Sequence, residues 1–387
     1  MMDEIYLDNA ATTKPFTEVV EVIADCLTNK YGNPSSLHRK GIEAEALLKD
    51  SREAVARVLG VEPGEIYFTS GGTESNNAAI RGIADSYSNR GTHIITSKVE
   101  HPSVLRTMED LERKGFAVTY LDVDHTGLID LEQLKNSIRK DTILVSIMGV
   151  NNEIGSVQPV EKAGQIIKRE NPLAFFHVDG IQAFLKIPVR PKDMGIDLFS
   201  LSGHKFHGPK GIGALYCRKG VNLRPVQTGG GQERGLRAGT ENTPGIAGLG
   251  KAVEIYSQNH YDYNFRMKTL KEMLKSGIEQ RIPNIRVNTP GGDNGAPHIL
   301  SIAFRGVKGE VLLHSLEKHG IYISTRSACS SKQNKVSGVL SAIGLTGEEI
   351  EGTVRISLCP FNTEEQMLKT VEAFDIEVRN LRKMFRR

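Results

Sequence analysis

Between residues 37 and 250, short apolar runs alternate with amphipathic stretches. Seven β-rich runs stand out: Glu65–Thr69, His93–Thr96, Ala117–Leu121, Thr142–Ile147, Ala174–Val178, Asp197–Leu201 and Gly213–Tyr216. Helical stretches separate most of them. Glu43–Val58 carries apolar residues at Ala44, Leu47, Leu48, Val55 and Val58, a helical stripe. The alternation predicts an α/β fold with a seven-stranded, mainly parallel sheet covered by helices. A long helical segment from Thr243 to Glu279 follows, and Pro290–Gly295 marks a loop. Beyond it the pattern reads as a smaller α+β unit. Its strands are Ile299–Phe304, Tyr322–Ser324 and Val354–Leu358. Its helices are Gly309–Lys318 and a terminal one from Thr363. The expected division is a large domain over 15–260 and a small one made of 1–14 plus 261–387.

The 49 basic and 46 acidic side chains leave a net charge of +3, too balanced for a nucleic-acid footprint. No apolar run reaches the ~18 residues of a membrane span. The first residues, Met1-Met2-Asp3-Glu4, have neither the basic nor the apolar region of a signal peptide. Cys26, Cys217, Cys329 and Cys359 show no CxxC spacing, so neither a zinc ribbon nor a disulfide framework is expected. His177, His204 and His207 match no metal-ligand spacing. These features predict a cytoplasmic protein without a metal.

Three motifs carry chemistry. Thr69-Ser70-Gly71-Gly72-Thr73-Glu74 joins a strand to a helix start, where backbone N–H groups and a hydroxyl make an anion site. An ordinary βα turn capped by Thr73 has the same sequence. Asp179 ends an apolar strand, where a carboxylate is costly unless a cation such as a protonated pyridine nitrogen meets it. A helix-capping Asp reads alike. Lys205, one strand later in Ser202-Gly203-His204-Lys205, is placed for Schiff-base chemistry by partial desolvation, although a solvated lysine is the commoner case. Together the three make the kit for pyridoxal 5′-phosphate: an imine-forming lysine, a carboxylate for the ring nitrogen and a phosphate cradle.

The chain also resembles the NifS/IscS-like cysteine desulfurases, fold-type I pyridoxal-phosphate enzymes. The matching segments run in order along nearly the whole chain. They include Tyr6-Leu7-Asp8-Asn9-Ala10-Ala11-Thr12-Thr13, Gly32-Asn33-Pro34-Ser35, Glu100-His101, Asn151-Asn152-Glu153, His177-Val178-Asp179, Ser327-Ala328-Cys329 and Val354-Arg355-Ile356. The resemblance implies conversion of L-cysteine to L-alanine, with Lys205, His101 and Cys329 as catalytic residues. It assigns cofactor binding to Gly72, Thr73, Asn152, Asp179, Gln182, Ser202, Gly203, His204 and Thr240, the last reaching a partner subunit. Arg355 would clamp the substrate carboxylate, a task suited to its bidentate fork, with Asn33 nearby. Cys329 would hold sulfur as a persulfide, and the flanking Arg326 and Lys332 favour its thiolate. The implied partners are a second copy of the chain and a sulfur acceptor, either an iron–sulfur scaffold or a tRNA-thiolation enzyme. A selenocysteine lyase or cysteine sulfinate desulfinase would share the same constellation.

Overall fold

The computed structural model describes residues 4–225, 227–325 and 337–385. In chain order the strands are β1 Ile5–Tyr6, β2 Ile66–Thr69, β3 His93–Ser97, β4 Ala117–Leu121, β5 Thr142–Met148 and β6 Phe175–Asp179. They continue with β7 Leu198–Ser202, β8 Gly213–Cys217, β9 Ile285–Val287, β10 Ile299–Phe304, β11 Ile321–Tyr322 and β12 Thr353–Ser357. Seven of them form one sheet in the order β2-β8-β7-β6-β5-β3-β4. The β7-β6-β5-β3-β4 run is parallel, and β8 is antiparallel to both of its neighbours. Every residue of β3, β5, β6, β7 and β8 is buried, as expected for strands covered on both faces. Helices Thr17–Thr28 and Arg39–Leu59 pack against Thr243–Gln258, and helix Gly72–Tyr87 packs against Pro102–Arg113. The α/β class and the seven expected strands agree with the sequence reading to within a residue or so at each end.

A second, antiparallel sheet has the order β12-β10-β9. Helices His260–Arg281 and Gly309–Glu317 pack with the C-terminal helix Glu364–Phe385 beside it. The parallel pair β1–β11 binds the first described residues to residue 321 and its neighbour. Asp8 extends this contact through a bridge to Ser357.

Two expectations need correction. The single long helix over 243–279 is two helices broken at Asn259 (φ −117°, ψ 9°), whose side-chain amide donates to Ile255 O at 2.9 Å. That local bond offers the backbone an alternative to helical continuation. The strand expected at Tyr322–Ser324 is Ile321–Tyr322, and Ser324 makes only a bridge to Arg355. The short β9 was not anticipated. It is a three-residue, half-buried strand, too brief to show a period.

Candidate active site

Most of the candidate side chains gather beyond the carboxyl ends of the large sheet, where open α/β sheets bind ligands. At the end of β2, Gly71 adopts φ 152°, ψ −176°, a backbone open to glycine alone. This conformation turns the chain sharply into helix Gly72–Tyr87. Ser75 secures the turn: its Oγ lies 2.7 Å from Thr69 Oγ1 and donates to Ala214 O on β8 at 3.1 Å. Glu74 accepts from the Ser70 N–H at 2.9 Å. The resulting helix N-terminus opens on a cavity of about 400 Å³ that is lined by Gly72, Thr73, Ser202 and His204, with Ala11, Thr12 and Lys210. Four expected residues thus meet in one place. Gly203 is buried behind them and begins the tight turn Gly203–Lys205.

His204 sits where burial, reinforced by Lys205 and Lys210, pushes its pKa down to about 3, so the imidazole is neutral. Its Nδ1 lies 3.2 Å from Thr12 Oγ1. Lys205 Nζ donates to Ala10 O at 2.6 Å and to Ala11 O at 2.8 Å. Gln182 Nε2 donates to the same Ala10 carbonyl at 2.9 Å, and its Oε1 lies 3.2 Å from His298 Nε2. Lys205 and Gln182 therefore converge on one oxygen.

Asp179 is the last residue of β6 and is almost wholly buried. Burial raises its pKa, against the pull of His101 and of two hydrogen bonds. Those bonds come from Asn76 Nδ2 (2.7 Å) and the Ile181 N–H (3.1 Å). The next residue is Gly180 because a Cβ there would lie 1.9 Å from Cζ of buried Phe199. His101 caps helix Pro102–Arg113, its Nδ1 accepting from the Ser103 N–H at 3.1 Å. Burial lowers its pKa, while neighbouring Asp179 opposes the shift.

Arg355 lies on β12, buried. Its Nη1 donates to Asn152 O at 2.8 Å and its Nη2 to Asp8 Oδ1 at 2.8 Å, while buried Nε has no partner among the described residues. Asn152 thus meets Arg355 through its main chain. Two expected residues join neither the cavity lining nor these hydrogen bonds. Asn33 is exposed, and its Oδ1 accepts from the Ser35 N–H within its own loop. Thr240 is exposed in the segment after the short helical turn Gln232–Gly235 and does not line the cavity of its own chain. Cys329, with Arg326 and Lys332, lies outside the described residues.

Sequence reasoning missed the contributions of Asp8, Ala10, Ala11, Asn76 and Ser103. The first three belong to a run of small and polar residues that carries no chemical signature by itself. Asn76 sits fully buried on helix Gly72–Tyr87. A polar residue in an apolar helical stripe was the available signal.

The aminotransferase class-V family matches residues 5–369. The cysteine desulfurase IscS of Clostridium botulinum strain Hall is 44% identical over 385 residues, covering 99% of this chain and 96% of that protein. A solved NifS-like protein superposes with a TM-score of 0.92 at 42% identity, covering 98% of this chain and all of that one. A structure of SspA in complex with cysteine matches with a TM-score of 0.82 at 39% identity over 93% of this chain and all of the other. With the large, mainly parallel sheet and the residues grouped at its carboxyl edge, these likenesses make the chain a member of the aminotransferase class-V family, of the cysteine desulfurase kind.

Proposed function

We propose that this chain is a pyridoxal 5′-phosphate-dependent cysteine desulfurase that converts L-cysteine to L-alanine and hands the sulfur to an acceptor protein. The observation that carries the reading is the meeting of an anion-binding helix start, a buried carboxylate and a strand-end lysine at one sheet edge. The residues fit the cofactor. Buried Asp179 is costly to ionise without a cation beside it, and a protonated pyridine nitrogen is such a cation. The cavity at the start of helix Gly72–Tyr87 presents Thr73, Ser202 and neutral His204 as partners for a phosphate.

When bound, the cofactor would supply an electron sink for breaking bonds at the substrate's α-carbon. Lys205 would hold it covalently and then move the α-proton, its amine aimed by the Ala10 and Ala11 carbonyls. Asp179 would keep the ring nitrogen protonated. Arg355 would bind the substrate carboxylate, and His101 would stand beside the reacting atoms. The Cys329 thiolate would attack the substrate sulfur. An S–S bond forms as the substrate C–S bond breaks, and the carbon fragment takes up protons to leave as alanine.

The reading extends to a homodimer in the cytoplasm, since exposed Thr240 is available to a second copy rather than to its own cavity. No helix among the described residues is long and apolar enough to cross a membrane. Residues 1–14 and 261–387 would form the smaller domain, carrying Arg355 and Cys329.

The test uses two variants of the purified protein. Lys205→Ala should lose the visible absorbance of the lysine-bound cofactor. Cys329→Ala should keep that absorbance yet form no persulfide and no alanine from cysteine. Full turnover by Cys329→Ala overturns the assigned nucleophile, and an unchanged spectrum in Lys205→Ala overturns the cofactor site. Competition among cysteine, selenocysteine and cysteine sulfinate distinguishes desulfurase from its two relatives in chemistry.

A further inference from the structure

A chain of hydrogen bonds joins Asp179 to His101 through two residues with no role so far. Asn76 Nδ2 donates to Asp179 Oδ2 at 2.7 Å and to Ser103 Oγ at 2.9 Å. The reverse amide orientation would set the Asn76 carbonyl oxygen against the carboxylate, so the NH₂ group faces Asp179. Both amide hydrogens are then used. Ser103 Oγ receives one of them, and its own hydrogen is left for its other neighbour, His101 Nδ1, 2.8 Å away. The Ser103 backbone N–H also points at Nδ1, at 3.1 Å. His101 Nδ1 therefore faces two donors and acts as an acceptor. A neutral imidazole carries one N–H, so that hydrogen sits on Nε2. Asn76 and Ser103 are both buried, and Asn76 Oδ1 has no partner among the described residues, so the polarity of the chain is set by the Asp179 carboxylate at one end and the Ser103 N–H at the other.

We propose that Ser103 and Asn76 are positioning residues that hold His101 in the Nε2–H form, so that His101 offers a hydrogen-bond donor, not a base, to the reacting group. Asp179 sets the direction of the whole chain as its terminal acceptor. The lowered pKa of His101 is consistent with a neutral ring at pH 7. The mechanistic part of this proposal rests on the desulfurase reading, whereas the tautomer itself rests on the hydrogen-bond geometry alone.

The experiment is nitrogen-15 NMR of histidine-labelled holoenzyme without substrate, with His101 assigned by comparison with His101→Gln. Wild type should show a pyridine-type Nδ1 and a pyrrole-type Nε2. Ser103→Ala removes one donor to Nδ1 and should shift both signals toward the average of the two tautomers. Ser103→Thr, which keeps the hydroxyl, should restore them. In turnover, Ser103→Ala should lower kcat for alanine formation about 2- to 10-fold, as expected for one neutral hydrogen bond, with KM unchanged. A protonated Nδ1 in wild type, or a Ser103→Ala spectrum identical to wild type, overturns the proposal. So does a Ser103→Ala effect confined to KM. The spectra are read without cysteine, so a failure to make alanine would defeat the functional reading and leave the tautomer result standing.

Discussion

The ion pair between Arg355 and Asp8 makes a double prediction with one energy behind both halves. Arg355 Nη2 meets Asp8 Oδ1 at 2.8 Å, with the Arg355 side chain 3% exposed and that of Asp8 20% exposed. A substrate carboxylate reaching Arg355 would meet a guanidinium that already has an anionic partner. Asp8→Asn keeps the shape and an acceptor oxygen but removes the charge. The bond that remains is still donated by a charged guanidinium, so the loss is the charge–charge part of the pair alone, about 1 kcal/mol for an Asp8 side chain that is 20% exposed. The unliganded protein should lose that amount in urea unfolding. The same amount no longer opposes the incoming carboxylate, so KM for cysteine should fall about fivefold with kcat unchanged. Steady-state alanine formation and urea melts on one preparation measure both. A drop in stability with KM unchanged or raised would refute the competition and leave Asp8 a purely structural partner.

Two further outcomes concern stability. Buried Glu233 accepts from Arg52 Nη1 and Nη2 at 2.9 and 2.7 Å and from the Phe68 N–H at 2.9 Å; Glu233→Ala should cost about 3 kcal/mol or more in urea unfolding, and Glu233→Gln distinctly less. Glu349 is held at a pKa of about 2 by the Thr346 backbone N–H and by Arg305. Its folded pKa lies below the ordinary carboxylate value, so its contribution is complete above about pH 4.5 and is lost as pH falls toward 2. Glu349→Gln should therefore flatten the acid limb of the stability profile, which equilibrium unfolding at several pH values measures.

The large sheet was legible because five of its strands, β3 and β5 to β8, are buried throughout and written as mostly apolar runs. Lys205, Asp179 and the Gly71-Gly72-Thr73 turn were legible for a related reason: each is a polar or glycine exception at the end of such a run. The break at Asn259 was not, since the apolar stripe continues across it and only a side-chain bond to Ile255 O interrupts the helix. Asn76 and Ser103 were hidden because neither has chemistry of its own. Their effect arises from two different helices bringing them within 2.9 Å of each other. The pairing of Asp8 was hidden because its partner Arg355 lies 347 positions away in the chain.

That separation has a consequence for how the enzyme comes into being. The carbonyls that receive the Lys205 amine sit on a segment anchored by β1 to β11 and by Asp8 to β12. Long-range pairings of this kind are entropically slow to close. A ribosome-bound chain can complete most of the seven-stranded sheet before residues 321–357 emerge, and Gln182, His204 and His207 can already hold one side of that segment, yet its β1–β11 and Asp8–β12 anchors are still missing. Full anchorage of the carbonyls that meet Lys205 is thus withheld from unfinished polypeptides until the last strand is available.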